Sequence, residues 1–295
     1  MDTLSGNYRD NIVEMMKHAR ASMDIGPDSV YAEANTKILP FIDRIVQDWT
    51  LPASEIRNFQ NLERLAELAR QGKSCLLLLE HYSNFDLPVF SYLLRQRGQG
   101  GKDIESNIVA VAGIKLSQTD PVITAFAEAY SRLVIYPSRS LEIIKRNIKD
   151  PKELVSEMML GSSINHAAMK KLGELKVSGK LILVFPAGTR YRPWDPSSKR
   201  GVREIDSYLR SFDYMCPVSI NGNVLRVNPA GEMKEDELVK DVVVYDVGEP
   251  IECRGFREAI KHSSHFNDDK KQAVVDALMA KLDAMHEAVA ATLKA

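Results

Sequence analysis

Residues 74–96 read SCLLLLEHYSNFDLPVFSYLLRQ, an apolar run, then a polar turn, then a second apolar segment. The run at 75–79 is short and leucine-rich, which is typical of a strand buried on both faces of a sheet. The segment at 87–96 has the length and spacing of a helix. A buried strand that leads directly into a helix favours an α/β fold, in which ligands bind beyond the carboxyl ends of strands.

The same alternation continues along the chain. Short apolar segments predict strands within 107–113, 132–137, 180–186, 215–220 and 240–248, and helical spacing predicts helices within 121–130, 150–175 and 267–293. Asp150 as N-cap and Pro151 at the first helical position favour a helix that begins there. The fold class predicted is α/β, with a mixed, largely parallel sheet covered by helices on both faces and a small N-terminal helical region.

The first part of the chain has a different pattern. Residues 7–22 and 31–49 both have apolar residues at helical spacing, and Pro40 is expected to kink or split the second helix. Pro52 breaks the periodicity, and Ser54 is the expected N-cap of the next helix. These signals divide the chain into an N-terminal helical region at 1–58 and an α/β domain at 59–295.

Composition excludes several classes of function. The net charge of −1 argues against nucleic acid as the main partner. The three cysteines are far apart and lack metal-like spacing, so we expect reduced thiols, no disulfide, no metal and no cofactor. The longest purely apolar run, CLLLL, is too short to span a bilayer. We therefore expect a soluble protein of the cytoplasm or an organelle stroma, or one peripheral to a membrane.

His81 and Asp86 stand directly after the predicted strand, with four residues between them. One interpretation is a catalytic base and the carboxylate that orients it, since Asp86 would bond one ring nitrogen and leave the other free. The other is an ordinary helix start, with Ser83 or Asn84 as cap and Asp86 in the first turn. The spacing alone is weak evidence, and the position after a buried strand favours the first interpretation.

The segment FPAGTRYRP at 185–193 also follows a predicted strand. Arg190 and Arg192 are two residues apart, so in an extended segment both side chains point the same way. Two such guanidinium groups form a site for a phosphate or a carboxylate. The alternative is a surface loop with two solvated arginines. The Walker and GxSxG patterns are absent, so neither a nucleotide hydrolase nor a serine hydrolase is supported.

Together these motifs resemble those of the glycerolipid acyltransferases, and the resemblance is greatest to the soluble plastid-type glycerol-3-phosphate acyltransferase. It covers roughly residues 60–250. The segments that carry it, in chain order, are EHYSNFD at 80–86, VAGIKLSQTDPVITAF at 111–126, VIYPSRS at 134–140, DPKELVSEM at 150–158, FPAGTRYRPWDPSS at 185–198 and CPVSI at 216–220. The ordered series is far more specific than any single segment.

The resemblance implies transfer of a fatty acyl group from an acyl thioester to the sn-1 hydroxyl of glycerol-3-phosphate. His81 would be the general base and Asp86 its orienting acid, while Arg190, Arg192 and Arg139 would bind the phosphate. Further candidates are Gly188, Thr189, Lys115 and Ser140. The acyl donor would be acyl-CoA or acyl-ACP as co-substrate. The partners implied are an acyl carrier, such as acyl carrier protein, and transiently the membrane surface that receives the product.

Two other functions stay open at this stage. One is acylation of lysophosphatidate to phosphatidate, and the other is a non-catalytic module that binds phospholipid headgroups. The His81 and Asp86 pair argues against a simple binder, and the lack of an evident hydrophobic anchor favours a water-soluble acceptor. His166, with Met158, Met159 and Met169 nearby, is interpreted as packing rather than as part of a site.

Overall fold

The structure is a computed structural model that describes residues 2–20, 25–117, 120–229, 235–263 and 269–294. Its helices are α1 Leu4–Asn7, α2 Arg9–Met16, α3 Leu39–Trp49, α4 Phe59–Arg70, α5 Asp86–Gln96, α6 Gly98–Ser106, α7 Pro121–Glu128, α8 Ser138–Asn147, α9 Pro151–Leu175, α10 Ile205–Ser211, α11 Cys253–Ser263 and α12 Lys270–Lys294. Its strands are β1 Tyr31–Ala32, β2 Glu55–Arg57, β3 Cys75–Leu79, β4 Ile108–Gly113, β5 Arg132–Ile135, β6 Leu181–Val184, β7 Tyr214–Asn221, β8 Leu225–Arg226, β9 Glu237–Leu238, β10 Val244–Val247 and β11 Ile251–Glu252.

The chain forms two compact units. The first unit comprises residues 1–9, 43–108 and 176–295, and the second comprises residues 10–42 and 109–175. The boundary expected at residue 58 coincides with neither division, because the first 58 residues contribute to both units. Whether residues 1–58 behave as a separate helical region stays a prediction.

The first unit is built on a sheet with strands in the order β6-β3-β7-β10-β2. Strand β3 pairs in parallel with both β6 and β7, and β10 pairs in parallel with β2, while β7 and β10 are antiparallel. Every residue of β3 is buried, so both of its faces are covered. Helices α4 and α12 pack on the strands of this sheet. The α/β class with a largely parallel sheet flanked by helices is thereby confirmed.

The second unit has its own strands and helices. Strands β4 and β5 are parallel, and β1 pairs antiparallel with β5 at the edge. Helix α9 begins at Pro151, and the carboxylate of Asp150 accepts the N–H of Lys152 (3.0 Å), as expected for the helix start. The prediction that the methionines of α9 are packing residues is wrong for Met158, Met159 and Met169, which are 39%, 68% and 49% exposed. His166 is exposed as well.

Local structure between residues 31 and 58 also differs from expectation. Residues 31–32 form the edge strand β1, and Pro40 is the second residue of α3, where its missing N–H has no helical partner to lose. Ser54 caps no helix, since its hydroxyl accepts the N–H of Val243 (2.8 Å) beside strand β2. A strand of two or three residues is too short to show a periodic pattern in the sequence. It forms because a neighbouring strand pairs with it.

No helix among the described ranges is long and apolar enough to cross a bilayer. The three cysteines are free and buried, and burial raises the pKa of Cys75 and of Cys253 to about 12. Thiols of this kind are neutral packing groups rather than reactive ones. None of the three forms a disulfide in this structure.

The turn after β7 gives a test of this fold. Gly222 has φ +87°, and a Cβ there would lie 1.9 Å from the carbonyl oxygen of Val242. We expect Gly222→Ala to lower the free energy of unfolding by about 3 kcal/mol or more, from backbone strain and steric overlap together. The control Gly72→Ala has a similar φ of +83° and nothing within 4 Å of the added Cβ. Gly72→Ala should lower the free energy of unfolding by only about 1–2 kcal/mol, as measured by urea unfolding. Equal losses of stability in the two variants would contradict the packing described.

Candidate active site

His81 lies two residues beyond the end of β3, and Asp86 is the first residue of α5. The two side chains meet, with 2.8 Å between His81 Nδ1 and Asp86 Oδ2. A carboxylate only accepts hydrogen bonds, so Nδ1 carries the proton in this pair and Nε2 is the bare nitrogen. Across the described part of the chain, Nε2 has no hydrogen-bond partner.

Asp86 is held in place from several directions. Its Oδ2 atom also accepts the backbone N–H groups of Tyr82 (2.7 Å) and Ser83 (2.9 Å), and its side chain is 4% exposed. The hydroxyl of Tyr245 donates to the backbone carbonyl of Asp86 (2.7 Å). The expectation that Ser83 or Asn84 caps the helix is wrong, because Phe85 is the N-cap residue and no side chain caps it. Asp86 does lie in the first turn of α5, and its carboxylate contacts His81 as the first interpretation expects.

The imidazole ring of His81 is confined on one face. It stacks on the ring of Phe185 with 4.0 Å between centroids and an interplanar angle of 19°. The backbone carbonyl of His81 accepts the N–H of Tyr191 (2.7 Å). Phe185 and Tyr191 both lie in the segment after β6, so the two predicted motifs meet at the carboxyl ends of neighbouring parallel strands. The ring is fixed and 17% exposed.

Glu80 points away from His81 and is buried. Its Oε2 accepts the N–H of Ile220 in β7 (2.8 Å) and lies 3.0 Å from Nδ1 of His286 in α12. Its Oε1 accepts the hydroxyl of Tyr82 (2.9 Å). Burial, together with the charge of Glu80, raises the pKa of Tyr82, so that the phenol stays a neutral donor. This network links the turn that carries His81 to β7 and α12.

Lys199 adds a cation to this network. Its Nζ lies 3.7 Å from Glu80 Oε1 and is paired with Asp283. Burial acts to lower the pKa of Lys199, but the hydrogen bond that Lys199 donates to Asp283 and the charge of Glu80 outweigh it and raise the pKa overall. The carboxylate of Glu80 therefore has a nearby positive charge that compensates for its burial.

Arg190 is already engaged by an acid. Its Nη1 is paired with Oδ2 of Asp236, a residue that is almost fully buried. Desolvation raises the pKa of Asp236 although Arg190 acts to lower it. The other oxygen, Oδ1, accepts the N–H of Asn228 (3.1 Å). The alternative of two solvated arginines does not describe Arg190, whose side chain is 15% exposed.

Arg192 is held only through its backbone. Its N–H donates to the hydroxyl of Ser198 (2.8 Å), and its guanidinium is half-buried. Within the described ranges the guanidinium has no ion pair or hydrogen bond, so it is free to bind an anion. The contacts of the two arginines differ, since Arg190 is paired with Asp236 and the guanidinium of Arg192 has no described partner. They therefore do not support the expectation that both arginines have the same role.

Gly188 closes the turn between β6 and the arginines. Its N–H donates to the carbonyl of Phe185 (2.9 Å), and its φ of +64° favours glycine. Thr189 beside it is half-buried. These two residues shape the path of the chain from the ring under His81 to Arg190.

The remaining candidates belong to the second unit. Lys115 lies in a 3₁₀ helix at Ile114–Ser117, and Arg139 lies in α8, but both side chains fall outside the described part of the structure. Ser140 is 7% exposed, and its N–H donates to Pro137 (2.9 Å). Their convergence with Arg192 stays a prediction. Among the described residues no group of three or more His, Cys, Asp or Glu is arranged to hold a metal.

The chain is similar in sequence to known acyltransferases. A family model described as Acyltransferase matches residues 56–221, a span that contains His81, Asp86, Arg190 and Arg192. The chain is 26% identical over 206 residues to "Glycerol-3-phosphate acyltransferase, chloroplastic" of Arabidopsis thaliana, which covers 66% of this chain and 40% of that protein. It is 26% identical over 168 residues to the protein of the same name from Spinacia oleracea, covering 57% and 31%. The chain thus spans less than half the length of these relatives, and the resemblance seen in the motifs is confirmed.

The Arg190–Asp236 pair gives a test of the site's construction. We expect a double-mutant cycle with Arg190→Ala and Asp236→Ala to give a coupling of about 2 kcal/mol in unfolding free energy, since the pair is desolvated. The exposed pair Arg254–Glu258, with side chains 80% and 54% exposed, is the control. Its coupling should be much smaller, because solvent screens both charges. A coupling for the buried pair no larger than that of the control would show that Arg190 is not held by Asp236.

Proposed function

The chain belongs to the acyltransferase family, and from that premise we propose that it transfers a fatty acyl group from an acyl thioester to the sn-1 hydroxyl of glycerol-3-phosphate. The product is lysophosphatidate. The observation that carries the proposal is the 2.8 Å contact between His81 Nδ1 and Asp86, which leaves Nε2 of a fixed, partly exposed imidazole without a partner. An alcohol is a poor nucleophile at neutral pH, and a base of this kind is what its attack on a thioester requires.

In the proposed reaction, His81 Nε2 takes the proton from the acceptor hydroxyl as its oxygen attacks the acyl carbonyl. The new C–O bond forms, the C–S bond breaks, and the imidazolium returns the proton to the departing thiolate sulfur. No covalent acyl-enzyme and no cofactor take part. Ser83 has a structural role, because its hydroxyl accepts the N–H of Phe85 (2.9 Å) within the same turn.

Asp86 acts through His81. Its carboxylate fixes the tautomer with the proton on Nδ1 and stabilises the positive charge that the ring acquires. The two backbone N–H groups that bond to the same oxygen hold that carboxylate in one orientation. The stacked ring of Phe185 limits rotation of the imidazole, so the base is already oriented when the acceptor hydroxyl binds.

Arg192 is the main residue proposed to bind the phosphate of the acceptor. Its guanidinium has no other described partner, and a planar fork suits a phosphate. Arg190 bonds Asp236 through Nη1 and retains further N–H groups that a phosphate accepts. Arg139, Lys115, Thr189, Gly188 and Ser140 stay further candidates for the same site. Acyl-CoA and acyl-ACP both supply the thioester that the mechanism needs.

The direct test is to incubate the purified protein with an acyl thioester and measure thiol release with and without glycerol-3-phosphate. Release that depends on the acceptor supports acyl transfer, and no release with any acceptor would favour a phospholipid-binding module. A competition with equal concentrations of glycerol-3-phosphate and lysophosphatidate then identifies the acceptor. Phosphatidate as the main product would overturn the choice of acceptor and leave the proposed base in place.

His81→Ala is expected to lower kcat by a factor on the order of a thousand or more, because it removes the general base. Asp86→Asn should also be severe, since an amide does not fix the tautomer. His262→Ala is the matched control, since His262 is an exposed histidine on α11 and should leave kcat unchanged. Circular dichroism checks that the variants fold. Near-wild-type turnover in a folded His81→Ala protein would rule out the mechanism.

Arg192→Lys is expected to raise KM for glycerol-3-phosphate about tenfold and to change KM for the acyl donor little, because lysine keeps the charge and loses the fork. Arg70→Lys is the control, as Arg70 ends α4 before β3 begins, at the opposite end of that strand from His81. The two KM values are measured by varying each substrate in turn. A rise confined to the acyl donor would assign Arg192 to the carrier instead.

A further inference from the structure

Helix α9 has an apolar surface that faces solvent. Its large exposed hydrophobic side chains are Val155 (55%), Met158 (39%), Met159 (68%) and Met169 (49%). Their spacing places them on one side of the helix, together with the small or uncharged residues Ser162, His166 and Gly173. We call this side the α9 outer face. An exposed apolar face on one helix is a feature that marks an interaction site.

The opposite side of α9 accounts for the packing of the helix. Its buried residues are Gly161, Ile164, Ala168, Leu172 and Leu175. These buried residues pack α9 against its unit, so the side chains of the outer face are not required for that packing. Residues 158–169 contain no charged side chain, so nothing in the sequence there keeps the outer face polar.

Charge on α9 is segregated in a way that suits an anionic partner. By helical spacing, Lys152 and Lys170 border the outer face near its two ends, whereas Glu157 and the exposed Glu153 lie farther from that face. Neither lysine makes an ion pair with any described residue.

We propose that the α9 outer face docks on the surface of a membrane that contains anionic lipid. Methionine and valine side chains enter the boundary between headgroups and acyl chains, while the bordering lysines reach the lipid phosphates. The flexible methionines suit a fluid surface better than a fixed protein pocket. The helix does not span the bilayer, since no described helix is apolar enough to do so, and it lies along the interface instead.

The proposal deepens the proposed function, on which its biological purpose rests. Lysophosphatidate has one acyl chain and a charged head, so it partitions from water into a nearby lipid surface. A docked enzyme delivers that product without free diffusion. The docking itself needs neither His81 nor Arg192 and is measured without any substrate.

The experiment is flotation of the purified protein with vesicles of phosphatidylcholine alone and of equal parts phosphatidylcholine and phosphatidylglycerol. We expect binding to the anionic vesicles that weakens as salt is raised. Val155→Asp and Met159→Asp should each weaken it about tenfold or more, because a carboxylate on this face faces lipid. Val13→Asp is the matched control, as Val13 is 53% exposed on another helix and should leave binding unchanged. Lys152→Glu combined with Lys170→Glu should also reduce binding and flatten its salt dependence.

Thiol release with glycerol-3-phosphate and a short-chain acyl thioester, assayed without vesicles, should be the same in wild type and Met159→Asp. Failure of the proposed function would abolish this release and leave flotation intact, so the two failures are distinguishable. The docking proposal is overturned if wild type does not float, or if Val13→Asp weakens binding as much as Val155→Asp. It is also overturned if light scattering shows a dimer that Met159→Asp separates, or if only an acidic carrier protein binds the face.

Discussion

The site depends on one carboxylate oxygen. Oδ2 of Asp86 accepts from His81 Nδ1, from Tyr82 N–H and from Ser83 N–H, so a single buried acceptor fixes both the imidazole and the backbone of the turn that carries it. Tyr82 and Ser83 lie in the turn before α5, which begins at Asp86, and the carboxylate of Asp86 accepts both of their N–H groups. The first residue of the helix is thus also the residue whose carboxylate holds the imidazole of His81. Displacing this carboxylate would release the turn as well as the ring.

Contacts with the rest of the first unit hold that turn in position. Strand β3 is buried between two parallel neighbours, and the segment after β6 supplies Phe185 beneath the ring and Tyr191 to its backbone carbonyl. On the other side, Glu80 ties the turn to β7 and to His286 of α12. Groups that are far apart in sequence thus converge on two adjacent strand ends. A base that is rigid before substrate arrives loses little free energy to reorganisation when it reacts.

The parts of this arrangement that depend on local pattern could be predicted from the sequence. The leucine run predicted β3, and its polar ending predicted His81 and Asp86 at a strand end. The role of Glu80 was not predicted. Strand alternation places Glu80 and His81 on opposite sides of the chain, and this pattern could have indicated that Glu80 points away from the site. The pairing of Arg190 with Asp236, and the contact of His286 with Glu80, join segments far apart in the chain. Their causes are tertiary, so no local spacing indicates them. The exposure of the α9 methionines was missed for a similar reason, because apolar residues at helical spacing usually mark a buried face.

The central claim is that Asp86 holds His81 with its proton on Nδ1 and leaves Nε2 as the base. Nitrogen NMR of protein labelled at histidine measures the tautomer of each ring directly. The account predicts that at neutral pH the His81 signal shows a protonated Nδ1 and a bare Nε2. In Asp86→Asn this preference should be lost, while the His262 signal stays unchanged. A neutral His81 with its proton on Nε2 in the wild-type protein would contradict the account.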